Sequence, residues 1–338
     1  MSKFNWLGGV LTFLLLVIAA GGPTFAGKGN GNGNPGGGGS DGGGDSGGQA
    51  YTILNLGPGR AVAVNDLGEA IGGTNDDRAV YWSVDANNNV LQQLLPDFNL
   101  DCWADDLNNF GQAVGVIGNG VDATSRAVVW NNLGTPGVSA QYLGEPSVPA
   151  GIVPYTHARA INSNGFVVGT VQYRDEEGNL SSYGKEPVVW QPNGSGYDVL
   201  ELPGPLSANA WDINDHGEIV GRELTDPVLW QLQFDNDGVI TGITGPIVLT
   251  SLGGPTGSSV GINNDGVIVG NSDINADETH AVRRQIDESG NVTQTTDLGI
   301  LRKMDFATGS RVNSAGLIIG SSSSYNFKSG QSKRDGFL

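Results

Sequence analysis

Six stretches of the chain share one frame: AVAVNDLGEAIG (61–72), ADDLNNFGQAVG (104–115), ARAINSNGFVVG (158–169), AWDINDHGEIVG (210–221), SVGINNDGVIVG (259–270) and GSRVNSAGLIIG (309–320). Each reads aliphatic residue, Asn, two variable residues, Gly, one variable residue, two small or aliphatic residues, Gly. Asn65, Asn108, Asn162, Asn214, Asn263 and Asn313 follow one another at separations of 43, 54, 52, 49 and 50 residues. Self-similarity of about 50 residues, sustained along the chain, is the signature of a repeat architecture.

The frame is that of a β-hairpin, with an aliphatic strand entering Asn-x-x-Gly and another leaving it. Asn bonds its own backbone to open the turn, and Gly68, Gly111, Gly165, Gly217, Gly266 and Gly316 supply the positive φ that closes it. The last glycine of the frame (Gly72, Gly115, Gly169, Gly221, Gly270, Gly320) suits close packing or a bulge. A third strand follows at AVYW (79–82), AVVW (127–130), PVVW (187–190), PVLW (227–230), AVRR (281–284) and GFL (336–338). A tryptophan recurring at one repeat position is expected to be a core wedge rather than a sugar-stacking platform.

A fourth strand is read at 90–95, 139–144, 197–204, 247–254 and 295–301, in five units only. The missing copy sits at the other end, where Tyr51-Thr52-Ile53-Leu54-Asn55-Leu56-Gly57 matches Tyr197-Asp198-Val199-Leu200-Glu201-Leu202. Such permuted ends suit a ring whose first strand completes the last blade and leaves no sheet edge open. An open β-solenoid has no use for them. The fold expected over residues 51–338 is therefore an all-β, six-bladed β-propeller of four-stranded antiparallel blades, closed by pairing of the N- and C-terminal strands.

The frame Ala-x-x-Ile-Asn-x-x-Gly-x-x-Val-Gly, followed by His280-Ala281-Val282, resembles the bacterial extracellular HAF-repeat proteins. The likeness covers residues 51–338, although one unit alone carries the His before Ala-Val. It implies export and repetition, and it implies no activity.

The N-terminus agrees with export. Lys3 precedes an apolar run from Leu7 to Ala20, then Gly21-Gly22-Pro23 and the small residues before and at Ala26. This is the layout of a signal peptide over residues 1–26. As a membrane anchor the run falls short of the ~20 apolar residues a span needs. Residues 27–49 are nearly all Gly, Asn, Ser and Asp, a flexible linker without apolar side chains to bury. The mature protein is expected to be secreted, periplasmic or associated with the cell surface, without membrane insertion, and monomeric.

Seventeen basic against 35 acidic residues give a net charge of −18. Nucleic acid is a poor partner for such a chain, since its binding needs a concentrated basic surface. Cys102 is the single cysteine. It forms no intramolecular disulfide and, with no base beside it in sequence, reads as a small buried hydrophobe.

Propeller topology sends the first-to-second strand turns to one face and the second-to-third connections to the other. The latter vary in length, as loops free of packing constraints do. They are read at 73–78, 116–126, 170–186, 222–226, 271–280 and 321–335, with the inter-blade loop 145–157 on the same face. Ligand-face candidates there are Asp76, Asp77, His157, Asp175, Glu176, Glu177, Glu278 and His280, the two histidines being placed on loops of different blades. Asp273, Asn275 and Asp277 have the opening spacing of a calcium loop, but the following glycine is missing and Arg284 stands where a bidentate Glu belongs. Calcium is thus a weak candidate, and no other cofactor is indicated.

No Gly-x-Ser-x-Gly elbow, phosphate loop or His-Glu-x-x-His is present. The chain reads as an exported, non-enzymatic binding or scaffold module contacting a glycan, matrix or surface partner through its variable face. The alternative is a carbohydrate-active lyase or hydrolase with an acidic pocket at the channel mouth. A calcium-stabilised structural protein is the third reading.

Overall fold

The computed structural model describes residues 16–18, 52–118, 125–175, 177–205, 207–326 and 331–338. The expected signal peptide and linker therefore lie outside the described residues, apart from the strand at 16–18. Twenty-five strands and no helix occur among these residues, as the all-β reading requires.

Two short strands come first, β1 (Leu16–Ile18) and β2 (Thr52–Leu54), paired antiparallel with each other. Unit one comprises β3 (Arg60–Val64), β4 (Ala70–Gly73), β5 (Ala79–Val84) and β6 (Val90–Leu94). Unit two comprises β7 (Cys102–Leu107), β8 (Ala113–Ile117), β9 (Arg126–Asn131) and β10 (Ser139–Tyr142). Unit three comprises β11 (Ile152–Ile161), β12 (Val167–Asp175), β13 (Leu180–Pro192) and β14 (Tyr197–Glu201). Unit four comprises β15 (Ala208–Ile213), β16 (Glu218–Glu223), β17 (Asp226–Phe234) and β18 (Ile240–Val248). Unit five comprises β19 (Gly257–Ile262), β20 (Val267–Asp273), β21 (Thr279–Ile286) and β22 (Val292–Gly299). Unit six has three strands, β23 (Phe306–Val312), β24 (Ile318–Asn326) and β25 (Gln331–Phe337). Units one to five are four-stranded antiparallel meanders, and one parallel bridge from Thr279 to Phe306 joins unit six to unit five.

The first strands of successive units pack side by side, β3 on β7, β7 on β11, and so on to β19 on β23. Arg311 of β23 also reaches Asp106 of β7 at 4.0 Å and Asp212 of β15 at 3.4 Å. A straight stack would hold unit six several sheet spacings from unit two. The units instead curve round a common axis with their first strands innermost, which is a β-propeller.

The repeat frame supplies the bonds that hold this arrangement. Each asparagine Oδ1 caps its own turn: Asn214 Oδ1 accepts from the backbone N–H of His216 (3.1 Å) and of Glu218 (2.9 Å). Its Nδ2 does something the hairpin reading did not foresee. Asn65 donates to the carbonyl of Asn108, Asn108 to Asn162, Asn162 to Asn214, Asn214 to Asn263 and Asn263 to Asn313, at 2.9–3.2 Å. One residue type thus closes the turn within a unit and ties that unit to the next.

The frame's last glycine is explained by close approach. Every first strand carries a bulge at the same place, as between Ala104 and Asp106 or Ala210 and Asp212. A Cβ on Gly115 or Gly221 would overlap the carbonyl oxygen of Trp103 or Asn209 on the bulged strand. The recurrent tryptophans are core wedges, as expected: Trp82, Trp130, Trp190 and Trp230 are fully buried. Burying roughly 150–250 Å² each, they rank among the largest single contributions to the core. Trp130, Trp190 and Trp230 also donate Nε1–H to the preceding unit, to the carbonyls of Pro96, Gly144 and Pro203.

Two expectations are corrected. The ring is not shut by its terminal strands. Among the described residues β2 pairs with β1 alone and β25 with β24 alone. The apolar β1 supplies the edge that β2 was expected to find on unit six. The seam is therefore open, and Ile319 is 48% exposed where its counterparts Ile71, Val114, Val168, Val220 and Val269 are wholly buried. Trp82 Nε1 has no partner among the described residues. Its counterparts bond the residue after Leu95, Leu143 and Leu202, so the equivalent acceptor would be Gly57, after Leu56.

The second correction concerns the variable connections. Much of 170–186 and 321–335 is strand, so that β12–β13 and β24–β25 are long hairpins rather than loops. Paired backbone amides satisfy themselves at any length, and lengthening a strand pair needs no new core.

Replacing Asn214 by Ala removes both turn bonds, the bond to Glu218 Oε2 and the link to unit five. The expected cost is about 2–3 kcal/mol in urea unfolding. Asn313→Ala, at the exposed end of the ladder, should cost less than about 1 kcal/mol.

Candidate functional site in the central channel

The bulge sets two consecutive residues of each first strand against one residue of the second. The residue two places before the ladder asparagine is Ala63, Asp106, Ala160, Asp212, Gly261 and Arg311 in units one to six. Charged residues in units two, four and six alternate with small ones in units one, three and five. The small residues leave room for the charged ones to meet across the channel.

Asp106 and Asp212 face the single guanidinium of Arg311. Each carboxylate also crosses to its neighbouring unit. Asp106 Oδ2 accepts from the N–H of Ile161 at 3.0 Å, and Asp212 Oδ2 from that of Ile262 at 2.9 Å. Burial pushes the Asp106 carboxyl up to about 6; Arg311 opposes the shift and Asp212 adds to it. Burial raises Asp212 as well, again against the pull of Arg311. Burial disfavours the charged form of Arg311, but Asp106 and Asp212 outweigh it and hold the guanidinium above its ordinary value. Two carboxylates sharing one cation make it costly for both to ionise.

A second cluster lies beside the first. Asp105, the bulge residue of unit two, accepts from His157 Nε2 at 2.8 Å and from Arg159 Nη1 at 3.2 Å, both on β11. Burial works against its charge, yet His157 and Arg159 prevail and hold it below the usual carboxylate range. Lys185 on β13 is pulled down by burial and by the nearby charge of Arg159.

The residues singled out from sequence are mostly not gathered here. His157 is, but it lies on strand β11 rather than in a loop, and its partner is Asp105. His280 is likewise on a strand, β21, with Nδ1 2.8 Å from Asp297 and Nε2 3.2 Å from Glu278. Burial opposes its charge, and those two carboxylates overcome this and raise its pKa. Asp76 and Asp77 occupy the β4–β5 turn, in unit one, and Asp175 and Glu177 the tip of the β12–β13 hairpin, in unit three. Glu176 lies outside the described residues.

The calcium-loop candidates are otherwise engaged. Asp273 accepts from the hydroxyls of Thr256 and Thr279, and Asn275 Oδ1 from the N–H of Asp277. Among the described residues no group of three or more His, Cys, Asp or Glu side chains is placed to hold a metal ion. Cys102 is buried, and its Sγ accepts from the N–H of Ala79 at 3.0 Å. Burial pushes its thiol up, away from nucleophilic use.

Sequence reasoning missed Asp105, Asp106, Arg159, Asp212 and Arg311. For Asp106, Asp212 and Arg311 the signal was a charged residue, in alternate units, at a frame position that elsewhere holds Ala or Gly.

No family model matches the chain, and no curated protein matches it. Among solved structures it is similar to a post-proline cleaving enzyme from Rickettsia typhi (10% identity, TM-score 0.44, covering 83% of this chain and 52% of that one). It is also similar to the β-propeller domain of the Trilobed protease from Pyrococcus furiosus (11%, 0.41, 75% and 71%). A third likeness is to prolyl oligopeptidase B from Galerina marginata (10%, 0.34, 78% and 38%). The chain thus spans about half the length of the first of these. None of these likenesses carries an activity over to it.

Two outcomes test the electrostatics. A carboxyl whose folded-state value lies above its unfolded one of ~4 contributes most stability below that value and loses it as pH rises through about 6. Asp106→Asn keeps an acceptor for Ile161 and a neutral Asp212–Arg311 pair. It should exceed the parent by roughly 2 kcal/mol at pH 7, the gap vanishing towards pH 4 in thermal unfolding. Arg311→Met should cost roughly 3–5 kcal/mol at neutral pH, with part recovered on adding Asp106→Asn.

Proposed function

We propose that this protein is an exported, non-enzymatic binding module that contacts an extracellular glycan, matrix or surface partner. The observation that carries this reading is the state of the channel charges. Asp106, Asp212 and Arg311 are committed to one another and to backbone amides of Ile161 and Ile262 in neighbouring units, and Asp105 to His157 and Arg159, which suits a brace rather than a reaction centre. The surface left to vary is the opposite end of the units, where β12–β13 and β24–β25 extend the second-to-third strand connection. These two long hairpins are the parts of the variable connections best suited to contact a ligand. The signal-peptide layout of residues 1–26 and the resemblance to HAF-repeat proteins support a ligand outside the cytoplasm.

One observation favours the second reading, a carbohydrate-active enzyme. Asp106, held near pH 6 beside a second carboxyl, has the protonation behaviour of a general acid.

The discriminating experiment is a glycan-array and turnover screen on the exported protein, its Asp106→Asn variant and a variant with the β12–β13 hairpin cut back to a tight turn. The binding-module reading expects retention in Asp106→Asn and loss in the shortened hairpin. Turnover of any glycan that Asp106→Asn abolishes would overturn it in favour of the enzyme.

A further inference from the structure

Unit five breaks the repeat at two positions that face each other. Where units one to four end the third strand with Trp82, Trp130, Trp190 and Trp230, unit five has Arg284. Where they begin the frame with Ala61, Ala104, Ala158 and Ala210, unit five has Ser259. Cross-strand register places both on one face of the sheet. Arg284 stands opposite Ile268, Ser259 stands opposite Gly270, and residues 268 and 270 share a face. In unit four the corresponding row is Trp230, Gly221 and Ala210, and a Cβ on Gly221 would come within 3.1 Å of the Trp230 ring. The indole therefore lies across the glycine towards the alanine. Arg284 takes the tryptophan's place in this row, and Ser259 the alanine's.

Part of the indole's work is kept. Arg284 Nε donates to the Thr250 carbonyl at 2.7 Å, the counterpart of the tryptophan bonds to Pro96, Gly144 and Pro203. The rest of the guanidinium is not accounted for. Arg284 and Ser259 are both 0% exposed. Among the described residues Nη1, Nη2 and the Ser259 hydroxyl have no hydrogen-bond partner. The surrounding core is aliphatic, with Val220, Leu229, Leu249, Ile262, Ile268 and Ile286. No described carboxylate pairs with the cation, and burial alone pulls its pKa down to about 10.

A buried, unpaired charge is strongly unfavourable unless something neutralises it. Arginine also has less side-chain bulk than the tryptophan of the other units, so the replacement removes volume from this interface while adding donors without partners among the described residues. We infer that the interface between units four and five is a binding site for a small inorganic monoanion of chloride size, held by Arg284 Nη1 and Nη2 and the Ser259 hydroxyl. The anion stands in for the indole's remaining bulk and supplies the missing countercharge. It acts as a structural ion that locks unit five to unit four.

The test uses the intact protein. Thermal unfolding at constant ionic strength, with chloride replacing gluconate up to ~0.2 M, should raise the parent's Tm by about 2–4 °C. Arg284→Trp, which restores the residue of the other units, should unfold at a temperature independent of chloride. Should that variant fail to fold, Ser259→Ala should move the chloride dependence to about tenfold higher concentration, about 1.4 kcal/mol in binding. Crystals grown in bromide should show an anomalous peak between Arg284 and Ser259. A parent Tm indifferent to chloride, or crystals without that peak, would falsify the inference.

Discussion

The fold depends on a side chain with both an acceptor and a donor at the mouth of each hairpin. Asparagine Oδ1 takes two backbone N–H groups of its own turn, and Nδ2 reaches the carbonyl of the next asparagine. Asp or Ser in its place would cap the turn as well but could not provide the same pair of bonds. Because the donor leaves from the atom group that fixes the turn, local hairpin geometry sets the angle between neighbouring units. The interior members of the ladder, Asn108, Asn162, Asn214 and Asn263, are buried, while Asn313 at its end is exposed. The ladder is therefore strongest where water is excluded, and it weakens towards the seam.

A second, sparser set of contacts works inside the ring. Placing charge in alternate units, with Ala or Gly between, lets three units meet at the axis without overpacking it. Asp106–Arg311–Asp212 ties unit six to units two and four, and so holds the curvature that the neighbour-to-neighbour ladder leaves loose. Asp105, His157 and Arg159 add a tie between units two and three. These bonds are placed where loss of one partner leaves a buried charge, so they contribute more to specificity of arrangement than to net stability.

The seam and unit five show what happens where the repeat is interrupted. At the seam, Trp82 keeps its place in the core but lacks the carbonyl its counterparts use, and Ile319 loses its cover. In unit five the interruption is compensated in kind. Arginine reproduces the tryptophan's hydrogen bond, a serine accompanies it, and the remaining donors call for a small anion.

Sequence alone determined the repeat, the Asn-x-x-Gly turns and the strands that flank them, though not the long β12–β13 and β24–β25 hairpins. Asn-x-x-Gly between aliphatic runs permits little but a tight hairpin, and a tryptophan at one fixed place permits little but a wedge. These are local constraints, written into adjacent residues. The tertiary structure decided the rest, because it depends on which units come together across the axis. Asp106 and Arg311 are 205 residues apart in sequence with Asp212 between them, and only the curvature of the ring makes the three one site. The terminal strands are the same kind of case. The match of Tyr51–Leu56 to a fourth strand was legible, but which edge it pairs with is a competition between β1 and β25 that composition does not settle. Six repeats were legible in the amino acids; where the ring is braced, where it is open and where its core carries a charge were decided by packing.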